Sequence, residues 1–340
     1  MRIDDKSLND LQIFRSRDGE SSIFDLLDYT KTKVGRSVLK SRFQQPLSDS
    51  QQISEVQASI RFLIKHDARF PAHDHLIRDV TGYLNSTWSV ASTKQGLPFV
   101  LEALWVSLRY KDLLSHSRKG IASVTMLATE AMDFALSILS QQPPSELRRT
   151  ASEIQGLIAN LPLHSTQIRD SPWSVFSLDS RLRTNCLSDL RRLFSLLTEL
   201  DALCAMAEAT KELGLCIPEI VETNDFILEG NGIYHLFLEK PVTNPVFLST
   251  GNSLMFLTGP NMAGKTTYLK SVSITAYLSH LGMGVPAKSF RIAPLDAIFT
   301  SLSPEDDLRS GLSYFMVEVL RVHEIAEVVA KNNRVFVCNR

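Results

Sequence analysis

Apolar residues recur at three- and four-residue steps from Ser7 to about Glu219, and this spacing predicts helices, because such positions share one face at 3.6 residues per turn. Gly19, Pro46, Pro71, the Gly96 to Pro98 stretch, Pro143-Pro144, Pro162 and Pro172 supply the breaks, being residues that end or interrupt helices. The clearest seam runs from about Leu178 to Leu213, where Leu190, Leu193, Leu197, Leu200 and Cys204 repeat in register. One helix of that length would extend ~50 Å. It is therefore expected to be an arm packed lengthwise on the segments Leu97 to Ser117 and Ile121 to Leu139, which carry similar stripes. A plain helical bundle without a moving arm fits the same pattern.

After Pro218 the pattern shortens. Phe226-Ile227-Leu228, Ile233 to Leu238, Val246-Phe247-Leu248 and Ser253 to Leu257 read as strands separated by Gly and Asn turns. The last of these is five residues nearly all apolar, the mark of a fully buried strand. Tyr268, Leu269, Val272, Ala276 and Leu278 then return to helical spacing. Phe290-Arg291-Ile292 and Ala297 to Thr300 read as strands, Leu312 to Ala330 as a helix, and Val335-Phe336-Val337 as a final strand. The expected architecture is an α-helical domain over residues 1–220 followed by an α/β domain over 221–340.

Between the apolar run ending at Leu257 and the helix that follows stands Thr258-Gly259-Pro260-Asn261-Met262-Ala263-Gly264-Lys265-Thr266-Thr267. Its spacing, GxxxxGK[ST], is that of a phosphate-binding loop, in which glycines let successive N–H groups curl around an anion. Lys265 would bring a positive charge to the β- and γ-phosphates, Thr266 a hydroxyl to Mg²⁺, and the helix N-terminus its dipole. Gly259, Pro260, Asn261, Met262, Ala263, Gly264, Lys265, Thr266 and Thr267 are the expected nucleotide contacts.

Composition narrows the rest. The 340 residues include 36 basic and 37 acidic side chains for a net charge of −1, so no global charge announces nucleic acid and any such contact must come from local patches. Lys33, Arg36 and Lys40 would share a helix face, a phosphate-facing stripe or simply a solvated surface. Cys186, Cys204, Cys216 and Cys338 show no CxxC pair, which predicts reduced thiols rather than disulfides or zinc ligands. The eight histidines show no ligand spacing. The N-terminus lacks the apolar core of a signal peptide, and no uninterrupted apolar run approaches the ~18 residues that span a bilayer. A cytoplasmic protein is expected.

The Pro-Asn-Met triplet inside the loop resembles the phosphate loop of the MutS family of DNA mismatch repair ATPases. Downstream, Ile298-Phe299-Thr300-Ser301 and Asp306-Asp307-Leu308-Arg309-Ser310-Gly311-Leu312-Ser313-Tyr314-Phe315-Met316-Val317-Glu318 resemble that family's signature segment. Leu11 to Phe14, Ser22 to Asp28, Thr30-Lys31-Thr32, Gly35-Arg36 and Gln45-Pro46-Leu47 are similar to the start of its helical core. The resemblance implies a core, lever helices, a connector near Leu213 to Ile220 and an ABC-type ATPase domain that dimerises around ATP and Mg²⁺. It also implies that Gly311 and Ser313 reach the γ-phosphate of a neighbouring subunit. A helix-capping serine fits Ser313 as well. Duplex or branched DNA and a second copy of the chain are the implied partners.

The chain departs from the family in several places. It begins at the core, so the resemblance brings no mismatch-reading domain. Phe237-Leu238-Glu239 matches the family's Phe-x-Glu wedge by letter only and reads as core packing in a strand. The lever region leaves little length for a DNA-encircling clamp. Tyr314 stands where a threonine is usual. Val242 is the apolar candidate against the adenine, for which Lys240 to Pro245 offers no aromatic residue. Asp306 and Asp307, which could ligate Mg²⁺, read better as helix N-terminal acids. Val335 to Val337 resembles the strand leading into the family's Asp-Glu pair, yet Cys338-Asn339-Arg340 follows, so the ATPase domain is expected to be incomplete at its C-terminus. ATP hydrolysis is implied by the resemblance while the carboxylates that perform it are missing. Two functions remain open, a DNA-associated ATPase switch in repair or recombination and a nucleotide-dependent scaffold that binds ATP without cleaving it. A phosphotransferase lacks an arginine-rich lid.

Overall fold

A computed structural model describes residues 1–15, 21–86, 97–163, 171–302, 314–332 and 334–339. In chain order the elements are β1 (Arg2–Ile3), α1 (Asp5–Asp10), α2 (Ile23–Leu27), α3 (Lys33–Gln44), α4 (Ser50–Lys65), α5 (Asp74–Asn85), α6 (Leu97–Arg109), α7 (Lys111–Leu139), α8 (Ser145–Asn160), α9 (Pro172–Thr184), α10 (Leu187–Glu212), β2 (Glu219–Ile220), β3 (Ile227–Ile233), β4 (Asn244–Ser249), α11 (Lys265–Ser279), β5 (Ser289–Ile292), β6 (Ala297–Ser301), α12 (Tyr314–Val329) and β7 (Val335–Asn339). They fall into two compact units, one made of Met1–Tyr29, Leu39–Asp67 and Leu203–Arg340, the other of Thr30–Val38 and Ala68–Ala202. The compositional change near residue 220 lies inside the first unit, which draws on both sides of it.

The second unit is helical. α7 packs on α5, α8 and α9 through a buried stripe that includes Ile121, Val124, Ala128, Ala131 and Phe134. By length and composition α7 could cross a membrane, but this stripe is sequestered by the neighbouring helices, as in a core helix. Tyr83 donates to Asp179 at 2.8 Å beneath the guanidinium of Arg183, 4.2 Å from the ring centroid. The expected single arm from Leu178 to Leu213 is two helices. α9 closes at Asn185 and Cys186, whose N–H groups both donate to the Arg181 carbonyl, and α10 restarts with Asp189 in its first turn. Its 26 residues make it about 39 Å long. At the start of α3, Asp201 accepts from the backbone N–H of Lys31 and Thr32 and from the Thr32 hydroxyl, at 2.9, 3.0 and 2.7 Å.

The first unit holds two sheets, a parallel one in the order β1-β6-β7 and a mixed one in the order β2-β5-β3-β4. Ala297 and Phe299 of β6 pack on Ile325 and Val328 of α12. α11 is buried over most of its length, with Val272, Ile274, Ala276, Tyr277 and Leu278 all buried. Strand β1 escaped the sequence reading because two residues carry no period. It is held by its parallel ladder to β6 and by Arg2 N–H donating to the Asp296 carbonyl at 2.9 Å, and α1 is joined to the end of β6 where Asp10 accepts from the Thr300 hydroxyl at 2.9 Å and from Leu302 N–H at 2.8 Å.

Two strand expectations are also corrected. Ser253 to Leu257 forms no strand and lies exposed, Leu254 by 81% and Phe256 by 89%. An all-apolar run is buried only if the sheet offers it a ladder, and among the described residues this stretch pairs with no strand. Phe237-Leu238-Glu239 also lies outside any strand, since β3 ends at Ile233, and its Leu238 and Glu239 are exposed. The core-packing reading of that tripeptide fails.

Candidate functional site

The phosphate-loop sequence folds as a tight turn onto the N-terminus of α11. Gly264 caps the helix at φ +84°, a left-handed conformation that costs a glycine nothing and lets the chain turn abruptly into the helix. Met262 takes φ +66° with its side chain fully exposed. A methionine in that region is strained, and strain of this kind gathers where a loop must aim its backbone.

Lys265 donates to the carbonyl oxygens of Gly259 at 2.6 Å and Pro260 at 2.7 Å. Its ammonium is thus folded across the loop, held by two neutral acceptors that an anionic oxygen can replace with a stronger, charge-assisted bond. Tyr268, one turn further, donates to the Pro245 carbonyl at 2.7 Å and lies 3.6 Å from the sulfur of Met255. These contacts tie α11 to the start of β4. Burial raises the Tyr268 hydroxyl above its ordinary pKa, with Cys338 adding to the effect, so it is a donor at neutral pH.

Two cavities flank the turn. One of about 440 Å³ is lined by Asn244, Pro245, Phe256, Gly264, Lys265 and Tyr268, among others. The other, about 730 Å³, includes Asn261, Met262, Lys265, Thr266, Thr267 and Asn339. Of the expected contacts, Asn261 to Thr267 therefore border these spaces, and the carbonyls of Gly259 and Pro260 hold the lysine.

Lining residues outside the expected contacts include Phe256, Tyr268 and Asn339. Phe256 was hidden by the buried-strand reading. Tyr268 was taken only as a helix-face residue, and Asn339 lies at the end of β7 within a stretch read for what it lacks. Val242 is 83% exposed and lines neither cavity. Gly311, Ser313, Asp306 and Asp307 lie outside the described residues. Lys33, Arg36 and Lys40 are exposed on α3, and Lys40 lies 5.6 Å from the Phe14 ring centroid.

Residues 6–207 match the family model of MutS domain III, and residues 255–338 match that of MutS domain V. The chain belongs to the MutS family. The domain III match covers more than half of the sequence, from α1 to most of α10, and the domain V match contains residues 258–267, α11 and nearly all of β7. This MutS-family chain is thereby a DNA-repair-related protein.

The donors for Mg²⁺ are sparse. Thr266 contributes a hydroxyl and Asn339 an amide, while among the described residues no carboxylate lines either cavity. Among the described residues, no cluster of three His, Cys, Asp or Glu side chains could hold a metal ion. Mg²⁺ ordinarily takes carboxylates alongside substrate phosphates, so this donor set does not make a metal cage.

Proposed function

We propose that the loop from Gly259 to Thr267 binds the phosphates of ATP, and that this MutS-family chain works as a nucleotide-dependent, DNA-associated module that pairs with a second copy of itself. The observation that carries the reading is the loop's geometry: a left-handed Gly264 opening α11, and a Lys265 ammonium parked on two loop carbonyls within reach of the same cavity. Backbone N–H groups at a helix start, a dipole and a mobile point charge are the complement of a polyphosphate. Mg²⁺ would enter with the nucleotide, held through phosphate oxygens and the Thr266 hydroxyl. ATP binding would shift the arm helices only as far as it favours one arrangement over another.

A second reading, favoured by the absence of a carboxylate among the described lining residues, is a scaffold that binds ATP without hydrolysing it. In phosphate-loop NTPases an acid beyond the neighbouring strand helps hold the metal. Calorimetric titration of ATP into wild type and Lys265→Ala tests the binding that both readings share: wild type is expected to bind, and the variant to lose most of the affinity. Equal affinities, or no heat from either, would defeat both. Turnover stimulated by duplex or branched DNA would favour the switch, and binding without turnover the scaffold.

A further inference from the structure

β7 runs parallel to β6 and ends at Asn339, and Asn339 lines the same cavity as Lys265, Thr266 and Thr267. A residue at the end of that strand faces whatever the loop holds. In phosphate-loop NTPases this station is a carboxylate that shares Mg²⁺ with the loop hydroxyl. A carboxylate there has a cost: without the metal, it sets a fixed negative charge beside a polyanion, and like charges a few ångströms apart in a partly desolvated cleft repel strongly. Such a site depends on magnesium because the ion cancels that repulsion.

Asn339 has nearly the shape of an aspartate and none of its charge. Its amide NH₂ can donate to a phosphate oxygen, where a carboxylate could only accept. The neighbouring Cys338 is buried, its Sγ 4.0 Å from the Leu269 carbonyl, and it does not line this cavity. Among the described residues lining this cavity, the charged one is the cation Lys265. Resting on the phosphate-loop reading above, we propose that this site takes magnesium-free nucleoside triphosphate about as well as the magnesium complex, with Asn339 as a neutral contact at the metal station.

Titration calorimetry with ATP, in EDTA and in excess Mg²⁺, reads this directly. Wild-type affinities are expected to agree within about threefold between the two conditions. Asn339→Asp is expected to weaken binding in EDTA by about tenfold or more, the scale of one screened like-charge contact, and to regain it with Mg²⁺. Asn339→Ala restores no charge and should stay as indifferent to magnesium as wild type. Wild-type binding tenfold or more tighter with Mg²⁺ would overturn the inference while leaving the phosphate-loop reading intact. An Asn339→Asp variant that binds equally with and without the metal, or an alanine variant that becomes magnesium-dependent, would remove Asn339 from the station. No binding under either condition would take down the phosphate-loop reading itself.

Discussion

Asp4 and Arg321, 317 positions apart in the sequence, form an ion pair that joins α12 to the residue capping α1. The same guanidinium donates to the Thr300 carbonyl at 3.0 Å and to the Ser7 hydroxyl at 3.2 Å, and it lies over the Phe299 ring at 5.2 Å. Burial alone would raise the Asp4 pKa, yet hydrogen bonds from Arg321 and Ser7 bring it below the ordinary value. One side chain thus ties the N-terminal segment to β6 and α12.

Removing the guanidinium should therefore be costly, because it leaves a carboxylate partly buried beside unpaired acceptors. Arg321→Ala is expected to lose about 3–5 kcal/mol of stability, as for other broken buried pairs, by urea denaturation. Asp4→Asn combined with Arg321→Met should recover part of that loss, since the orphaned charge is gone and packing on Phe299 is kept. A loss under about 1 kcal/mol for Arg321→Ala would show that the pair is not what holds the N-terminus.

Much of this architecture was legible in the sequence. β4, β5, β6, β7, α12 and the helix after the phosphate loop stand where runs of apolar residues placed them, because each is long enough for its period to show. β1 and Arg321 were not legible: two residues have no period, and an arginine reads as surface until its partners fold around it. Phe256 was misread for the opposite reason. An apolar run reports what a segment can bury, whereas burial also needs a neighbouring strand to supply the ladder. At the candidate site, motif spacing singled out Gly259 to Thr267, but only the position of β7 brought Asn339 to the same cavity.

Within the second unit, a backbone cap should be as sensitive as the ion pair. A Cβ on Gly35 would lie 2.0 Å from the Asp201 carboxylate oxygen, the same oxygen that accepts from Thr32. Gly35→Ala is expected to displace the cap, and Asp201→Ala to delete it. Each should lose about 2–3 kcal/mol by denaturant titration, the range for charged hydrogen bonds and buried polar groups left unpaired. Gly82 in α5 is the control, since a methyl there meets nothing within 4 Å and alanine favours helix by roughly 0.5–1 kcal/mol. If Gly35→Ala behaves like Gly82→Ala, the crowding at Asp201 is not real.

Acid should loosen the first unit through its histidines. His280 is buried between two backbone partners, its Nδ1 2.7 Å from the Leu47 carbonyl and its Nε2 accepting from Leu295 N–H at 3.2 Å. Burial lowers its pKa to about 4, and that of His235, beside Lys270, also to about 4. Both are neutral when folded and protonate near 6.5 when unfolded. Unfolded chains then bind more protons between those values, so stability rises with pH from about 4 to 6.5 and is lost on acidification across that window. His280 alone accounts for up to about 3 kcal/mol of it. Subtracting the pH profile of His280→Gln from that of wild type isolates the contribution, and a flat difference between pH 4 and 6.5 would contradict it.

Loop conformation and loop chemistry can be separated at Gly264 and Met262. A Cβ at Gly264 would meet nothing within 4 Å, so Gly264→Ala acts only through φ +84°, a backbone penalty of roughly 1–2 kcal/mol for an L-residue. The loop can escape it by unwinding the first turn of α11, which moves Lys265 and Thr266 off the cavity. ATP affinity is expected to fall about tenfold or more, the equivalent of that penalty. Met262 presents the reverse case, for its own φ of +66° is already unfavourable and its exposed side chain buries nothing. Met262→Gly should relieve the strain and keep the turn, leaving ATP affinity within about threefold of wild type by calorimetry. If Met262→Gly weakens binding as much as Gly264→Ala, the methionine side chain itself contacts the ligand and the loop's shape is not the whole of its recognition.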